Sequence, residues 1–392
     1  MTTSKQSESA VCRALRPFGT SIFTEMSALA AEHSAVNLSQ GFPDFDGPQE
    51  MRRAAAEAIV RGPNQYVPSM GVLALREAVA DKTKRFYGVD VDPVSEVTIT
   101  AGASEALSAS LLGILEPGDE VILLEPCYDL YPPIIALARA KPVFVRLEKP
   151  DFALAVEPLE RAFSSRTKAI VINNPQNPCG KVFTREELEL VGRLCEKHDV
   201  FAIGDEVYEH LTFEGHGHVT LLDVPSLRDR AIAISSNAKT FSMTGWKVGW
   251  AAACPRLSDA VRMSHQFLTF CTPGALQEAV ALAIGMDDSY YDQLLTDYTG
   301  WRSKLCRALE ELGLDVLWPA GTYYCTVDIS GLGLGDDVEF CRMLTTEVGV
   351  AAIPFSPFYD TRSGGKDLVR FCFCKRDETL DEAIRRLHQW RG

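Results

Sequence analysis

The sequence predicts an α/β protein: a large domain with a mostly parallel, seven-stranded sheet between helices, plus a smaller α+β domain. Three observations carry this. Short β-branched runs recur between residues 97 and 252, helical stretches separate several of them, and after about residue 290 one long amphipathic helix precedes only a few strands. Strands alternating with helices form a mostly parallel sheet covered on both faces. At ~100–200 residues per domain, the 392-residue chain holds two or three domains. We expect residues 1–45 to pack with the small domain, 46–288 to form the large domain and 289–392 the small C-terminal one.

Residues 1–10 are polar and read as mobile. Thr20–Ala31 has helical apolar spacing, and Val36–Pro48 (VNLSQGFPDFDGP) is an ordered loop rich in turn formers. Residues 49–61 and 71–87 are amphipathic helices. The seven strands are Val97–Thr100, Val121–Leu124, Val143–Val145, Ala169–Ile172, Phe201–Ile203, Ala231–Ile234 and Val248–Ala252. Ser104–Leu115, Arg185–His198 and Ser258–Phe267 are helices between them. Beyond them come a helix over Tyr290–Leu312, strands over Thr322–Asp328 and Val369–Phe373, and a closing helix from Thr379. Gly331–Asp337 is a loop, its GLGLG too weak to mark a nucleotide site.

Composition narrows the function classes. Hydrophobic residues at 46% and charged residues at 23% are those of an ordinary globular chain. The net charge of −14 argues against a nucleic-acid binder and against docking on an anionic membrane. No apolar run reaches the ~18 residues of a membrane span, and the N-terminus lacks the apolar core of a signal peptide. The 11 cysteines are an odd number with no C-x-x-C pair, which reads as reduced thiols rather than a disulfide framework. A cytoplasmic enzyme is expected.

The strongest chemical feature is Ser235–Trp250, SSNAKTFSMTGWKVGW. Lys239 follows a buried-type strand and sits among small and apolar residues. A desolvated lysine has a lowered pKa and forms Schiff bases. Ser236 lies three residues before it and Lys247 eight after, a hydroxyl and a cation that suit a phosphate-bearing aldehyde. Through Ser236, Lys239, Gly245, Trp246, Lys247, Gly249 and Trp250 the sequence resembles the fold-type I pyridoxal-phosphate enzymes. More closely, it resembles the class I/II aminotransferases of the kynurenine/glutamine and methionine branch. The resemblance implies pyridoxal 5'-phosphate on Lys239 as catalytic residue, and a large domain that binds it.

Further motifs follow in the family's order. In FAIGDEVY a strand delivers Asp205 to its C-terminal end, where α/β sheets place their ligands. By resemblance Asp205 holds the pyridinium nitrogen, and Tyr208 bonds the cofactor's 3-oxygen. NNPQNPCG follows another strand; Asn177 matches a second group on that oxygen and a substrate contact, with a cis bond at Asn177–Pro178. Cys179 stands where the family usually has Thr. In TITAGASEAL a strand runs through a glycine turn into a helix whose first N–H groups favour an anion; Ala103 and Ser104 are the phosphate donors. In EPCYDLY, Tyr128 matches the aromatic residue stacked on the ring.

Substrate handling falls by resemblance to Gly41 in SQGFPDF, a backbone contact near the α-carboxylate, and to Arg370 in LVRFCFCKRDETL. An arginine's fork grips a carboxylate bidentately. Tyr66 matches a residue reaching the neighbouring subunit's phosphate, and Phe270 falls near a segment lining the partner's substrate pocket, so a homodimer with shared sites is implied. No metal is expected; His216-x-His218 reads as a solvated loop. The implied reaction moves an amino group from an L-amino acid, neutral or aromatic in side chain, to a 2-oxo acid by a ping-pong mechanism. The alternative is a β/γ-lyase or a specialised biosynthetic carbanion enzyme, because the first carbanion is common to both. A non-catalytic regulatory domain is disfavoured by the intact Lys239 and Asp205.

Overall fold

The computed structural model describes residues 10–391. The segment read as mobile therefore lies, except for Ala10, outside the described residues. The sheet has eight strands, not seven, in the order Val97–Thr100, Gly249–Ala253, Ala231–Ser236, Phe201–Asp205, Thr167–Asn173, Glu120–Glu125, Lys141–Glu148 and Ala153–Leu154. The added eighth is a two-residue edge piece, too short to show a pattern in the sequence. Strand pairing from 141–148 through 120–125, 167–173 and 201–205 to 231–236 is parallel. Gly249–Ala253 is antiparallel to both its neighbours, which leaves Val97–Thr100 running the same way as the parallel set.

Both sheet faces are buried, and the side chains alternate between two cores. Ile122, Leu124, Ile170 and Ile172 join one core, while Val121, Leu123, Ala169 and Val171 join the other. That explains why these strands read as continuous apolar runs rather than as alternating ones. The Gly102–Ile114 and Pro255–Leu268 helices pack against each other over the second core.

After the 24-residue Asp288–Glu311 helix, a four-stranded antiparallel sheet forms in the order Asp315–Leu317, Tyr324–Asp328, Leu368–Cys372 and Ile353–Pro354. The Asp377–Arg391 helix closes the chain. Near the start of the described chain, Val36–Asn37 pairs in parallel with Val350–Ala351, tying the Ile22–Glu32 helix and the loop after it to this C-terminal unit.

The direction of the strands decides where chemistry collects. Six strands end at one edge of the large sheet, and the reversed Gly249–Ala253 strand begins there. Asp205 is the last residue of its strand, Ala103, Tyr128, Asn177 and Lys239 lie within a few residues beyond a strand end, and Lys247 lies just before the reversed strand.

Candidate active site

At that edge lies a cavity of about 420 Å³. Gly41, Ala103, Ser104, Tyr128, Asn177, Asp205, Tyr208, Ser236, Lys239 and Lys247 all line it, which brings together ten of the thirteen residues singled out from sequence. Arg370 lies just behind the lining, fully buried. Its Nη1 donates to Asn177 Oδ1 at 2.5 Å and its Nη2 to the Ser39 carbonyl at 3.1 Å. Tyr66 and Phe270 are not in this cavity: both are exposed, their rings edge to face at 5.3 Å.

Asp205 ends its strand with the carboxylate buried. Oδ2 accepts from Tyr131 Oη at 2.7 Å, and Oδ1 has no hydrogen-bond partner. Burial raises its pKa to about 6, with the Tyr131 hydroxyl and Lys239 pulling the other way. A buried acceptor left without a donor costs free energy. Here the orphaned oxygen belongs to a cavity-lining carboxylate, where a cationic N–H donor would satisfy it.

Lys239 projects into the same cavity. Its Nζ donates to Tyr323 Oη at 2.8 Å, and Tyr323 Oη donates to the Gly41 carbonyl at 2.6 Å. Burial pushes the Lys239 ammonium below the usual lysine range; the nearby Cys374 and Cys372 sulfurs and Asp205 oppose that shift, and Arg370 adds to it. A neutral amine is the nucleophilic form.

The cradle for an anion is built on close backbone approach. A Cβ on Gly249 would lie 2.6 Å from the Ala103 nitrogen and the Gly102 carbonyl carbon, so glycine is required for the helix start to seat on the reversed strand. Lys247 Nζ reaches Ser104 Oγ at 3.3 Å, and Ser236 lines the same end, its hydroxyl capping Ala238 N at 3.4 Å.

Asn177 is set by its neighbours. Its backbone N donates to Asn173 Oδ1 at 2.7 Å, and Asn173 Nδ2 donates to the Asp205 carbonyl at 2.8 Å, tying the two strand ends together. The Asn177–Pro178 bond is cis. Cys179 braces this loop through a 3.4 Å contact from Sγ to Gln176 Oε1, a loop-supporting place for a residue that differs from the usual one. Below the Tyr208 turn, the buried Glu209 carboxylate takes Lys82, Tyr87 and Ser235 as partners, and fastens the turn to the strand that ends at Ser236.

His218 is not in a solvated loop: its side chain is buried, with Nε2 3.3 Å from Glu206 Oε2. Among the described residues no cluster fit to hold a metal ion is present, and no helix is long and apolar enough to cross a membrane.

Tyr131, Asn173, Tyr323, Tyr324, Phe23 and Asp129 were missed from sequence. Tyr131, Asn173 and Asp129 stood inside motifs already quoted, and the spacing of Tyr131 three residues after Tyr128 was a usable signal. Tyr323 and Tyr324 read only as strand residues.

A cavity at the carboxyl edge of such a sheet, with a desolvated lysine facing an unsatisfied buried carboxylate and an anion cradle, defines a pyridoxal-phosphate enzyme of fold type I. The model of the aminotransferase class I and II family matches residues 33–387, and the chain belongs to that family. It is 46% identical over 384 residues, 95% of this chain and 96% of the other, to the probable N-succinyldiaminopimelate aminotransferase of Mycobacterium tuberculosis. It is 44% identical over 375 residues, 96% of this chain and 97% of the other, to the methionine aminotransferase of Escherichia coli. The solved structure of the mycobacterial protein superposes with a TM-score of 0.94, covering 96% of this chain and 99% of that one at 46% identity. This chain is a pyridoxal-phosphate-dependent aminotransferase, carrying an amino group from an amino acid to a 2-oxo acid. The lyase alternative is not favoured, since the curated relatives are aminotransferases.

Proposed function

We propose that the amino donor is an L-amino acid with a neutral or aromatic side chain. One observation carries this: apart from the groups assigned to the cofactor, the cavity wall sets Phe23, Leu107 and Tyr324 beside the uncharged Ser21, Gln40 and Thr244, with Asp129 as its remaining carboxylate. Lys239 and Lys247 are its only cations among the described residues, and both are assigned to the cofactor. Ser21 Oγ donates to Asp129 Oδ2 at 3.1 Å, and burial raises the Asp129 pKa. A carboxylate in a half-buried wall repels a side-chain carboxylate and tolerates an apolar or amide one. The names of the relatives include methionine and kynurenine.

The roles we assign follow the geometry. Asp205 Oδ1 would accept from the pyridine N–H, Tyr208 and Asn177 would hold the 3-oxygen, and Tyr128 would cover the ring. Ser236, Lys247 and the Ala103 and Ser104 end of the helix would hold the phosphate. When bound, the cofactor supplies an electron sink for charge developing at the substrate α-carbon. Arg370, with Asn177 and the Gly41 backbone, anchors the α-carboxylate. Lys239 Nζ would take the proton from the substrate α-carbon and return it two bonds away, to the carbon beyond the nitrogen, its neutral form favoured by burial.

The donor class is tested by half-reaction. With one good donor and no acceptor, a single equivalent of 2-oxo acid is expected, followed by arrest until a second 2-oxo acid is added. In kcat/KM, methionine, glutamine or phenylalanine should exceed aspartate and glutamate by at least about tenfold. A preference for N-succinyldiaminopimelate over these would replace the reading. Continuous release of ammonia with pyruvate or 2-oxobutyrate would overturn it.

We also propose a homodimer with composite sites, in the cytoplasm, and a division into residues 1–45, 46–288 and 289–392. Support for the dimer comes from large apolar side chains left in water: Tyr66 is 84% exposed, Phe267 83% and Val60 87%. The eleven free thiols support a reducing compartment. If Tyr66 serves the partner's site, mixing inactive Lys239→Ala with inactive Tyr66→Ala protein should restore up to about a quarter of wild-type activity, since half of randomly mixed dimers carry one repaired site in two. No recovery despite proven subunit exchange would refute the sharing.

A further inference from the structure

Tyr324 belongs to none of the sequence motifs, yet it touches two functional groups at once. It opens the Tyr324–Asp328 strand opposite Cys372, so it shares a sheet face with Arg370 on the neighbouring strand. Its ring lies over the guanidinium, 3.8 Å from Cζ to ring centroid. Its hydroxyl sits 3.2 Å from the Tyr208 hydroxyl. Space for it comes from Gly41, where a Cβ would lie 1.8 Å from Tyr324 Oη. Covering Arg370 requires only the ring. Among the described residues, the hydroxyl has Tyr208 as its one hydrogen-bond partner.

We propose that Tyr324 is a positioning residue with two separable functions: its ring holds the Arg370 guanidinium in place, and its hydroxyl donates to Tyr208 Oη so that the Tyr208 proton points into the cavity. This rests on the roles given above to Arg370 and Tyr208. A hydroxyl that accepts one hydrogen bond becomes a stronger donor in the next, so Tyr324 strengthens the grip of Tyr208 on the cofactor's 3-oxygen. The charged and titratable groups facing these two phenols are Arg370, Tyr323, Cys372, Cys374 and Lys239, the last 5.5 Å from the Tyr208 ring. Tyr324→Phe removes the hydroxyl link and leaves the ring on Arg370.

The test uses the cofactor-loaded protein without substrate, titrated through the pH midpoint of its visible absorbance. A weaker donor on the 3-oxygen leaves the proton shared near it harder to remove. Tyr324→Phe is therefore expected to raise the midpoint by about 0.3 pH unit, while the donor KM stays within about twofold. Tyr324→Leu should show the same midpoint and also raise the donor KM about tenfold, because the guanidinium loses its aromatic cover. A midpoint unchanged in Tyr324→Phe overturns the hydroxyl's role, and an unchanged KM in a folded Tyr324→Leu overturns the ring's. Should wild-type protein bind pyridoxal phosphate without a visible band, the cofactor reading itself would fall, an outcome distinct from both.

Discussion

Lys239→Ala is expected to leave a folded protein whose turnover falls by at least about 10⁴-fold, since both the nucleophile and the proton carrier at Nζ are removed. The fold should survive. The Nζ makes one short hydrogen bond, to Tyr323, and the cavity leaves room for its loss. Borohydride treatment of wild-type protein should fix the cofactor's mass on the peptide containing Lys239, and on no peptide of the variant. A label on any other lysine would reassign the site. Added primary amines should restore part of the proton transfer in Lys239→Ala but none of the covalent label.

Asp205→Asn should cost about 10²–10³-fold in turnover or more, because a neutral amide cannot balance a pyridinium charge held in a dry site. The cofactor-free protein should move the opposite way. A carboxyl whose folded pKa, about 6, lies above its unfolded value weakens the fold once it must ionise inside. That penalty is absent below about pH 4, where both states are protonated, grows as pH rises through 4–6, and is complete above that range. Asp205→Asn apoprotein should thus be more stable than wild type by roughly 1–3 kcal/mol at neutral pH, with the gain vanishing below about pH 4. Chemical denaturation of both apoproteins at pH 3.5 and 7.5 reads this directly. Equal stability at both values would mean that Asp205 is satisfied without a ligand.

Much of the large sheet was legible in the sequence because its strands are buried on both faces and write unbroken β-branched runs. Their ends were less legible: Val143–Val145 extends to Lys141–Glu148, where the exposed Lys141, Arg146 and Glu148 break the apolar run. Within the site, the legible residues were those whose chemistry is local to a motif, such as Lys239 with Ser236 and Lys247. Tyr323 and Tyr324 were not, since their meaning arises only when the antiparallel sheet after residue 312 brings them against Lys239, Arg370 and Gly41. His218 was misread for the same reason: a histidine among glycines looks solvated until Glu206 arrives from a strand end.

The reversed strand also sets a timetable for the ribosome. Val97–Thr100 pairs with Gly249–Ala253 alone, and from Thr100 to Gly249 the chain runs 249 − 100 = 149 residues. At about 5–20 residues per second this edge strand waits roughly 7–30 s after synthesis for its neighbour. During that interval the helix beginning at Gly102 has no reversed strand to seat on, so the site proposed above for the phosphate is not yet formed. Until then, the earliest strand of the sheet is an open edge in need of shelter.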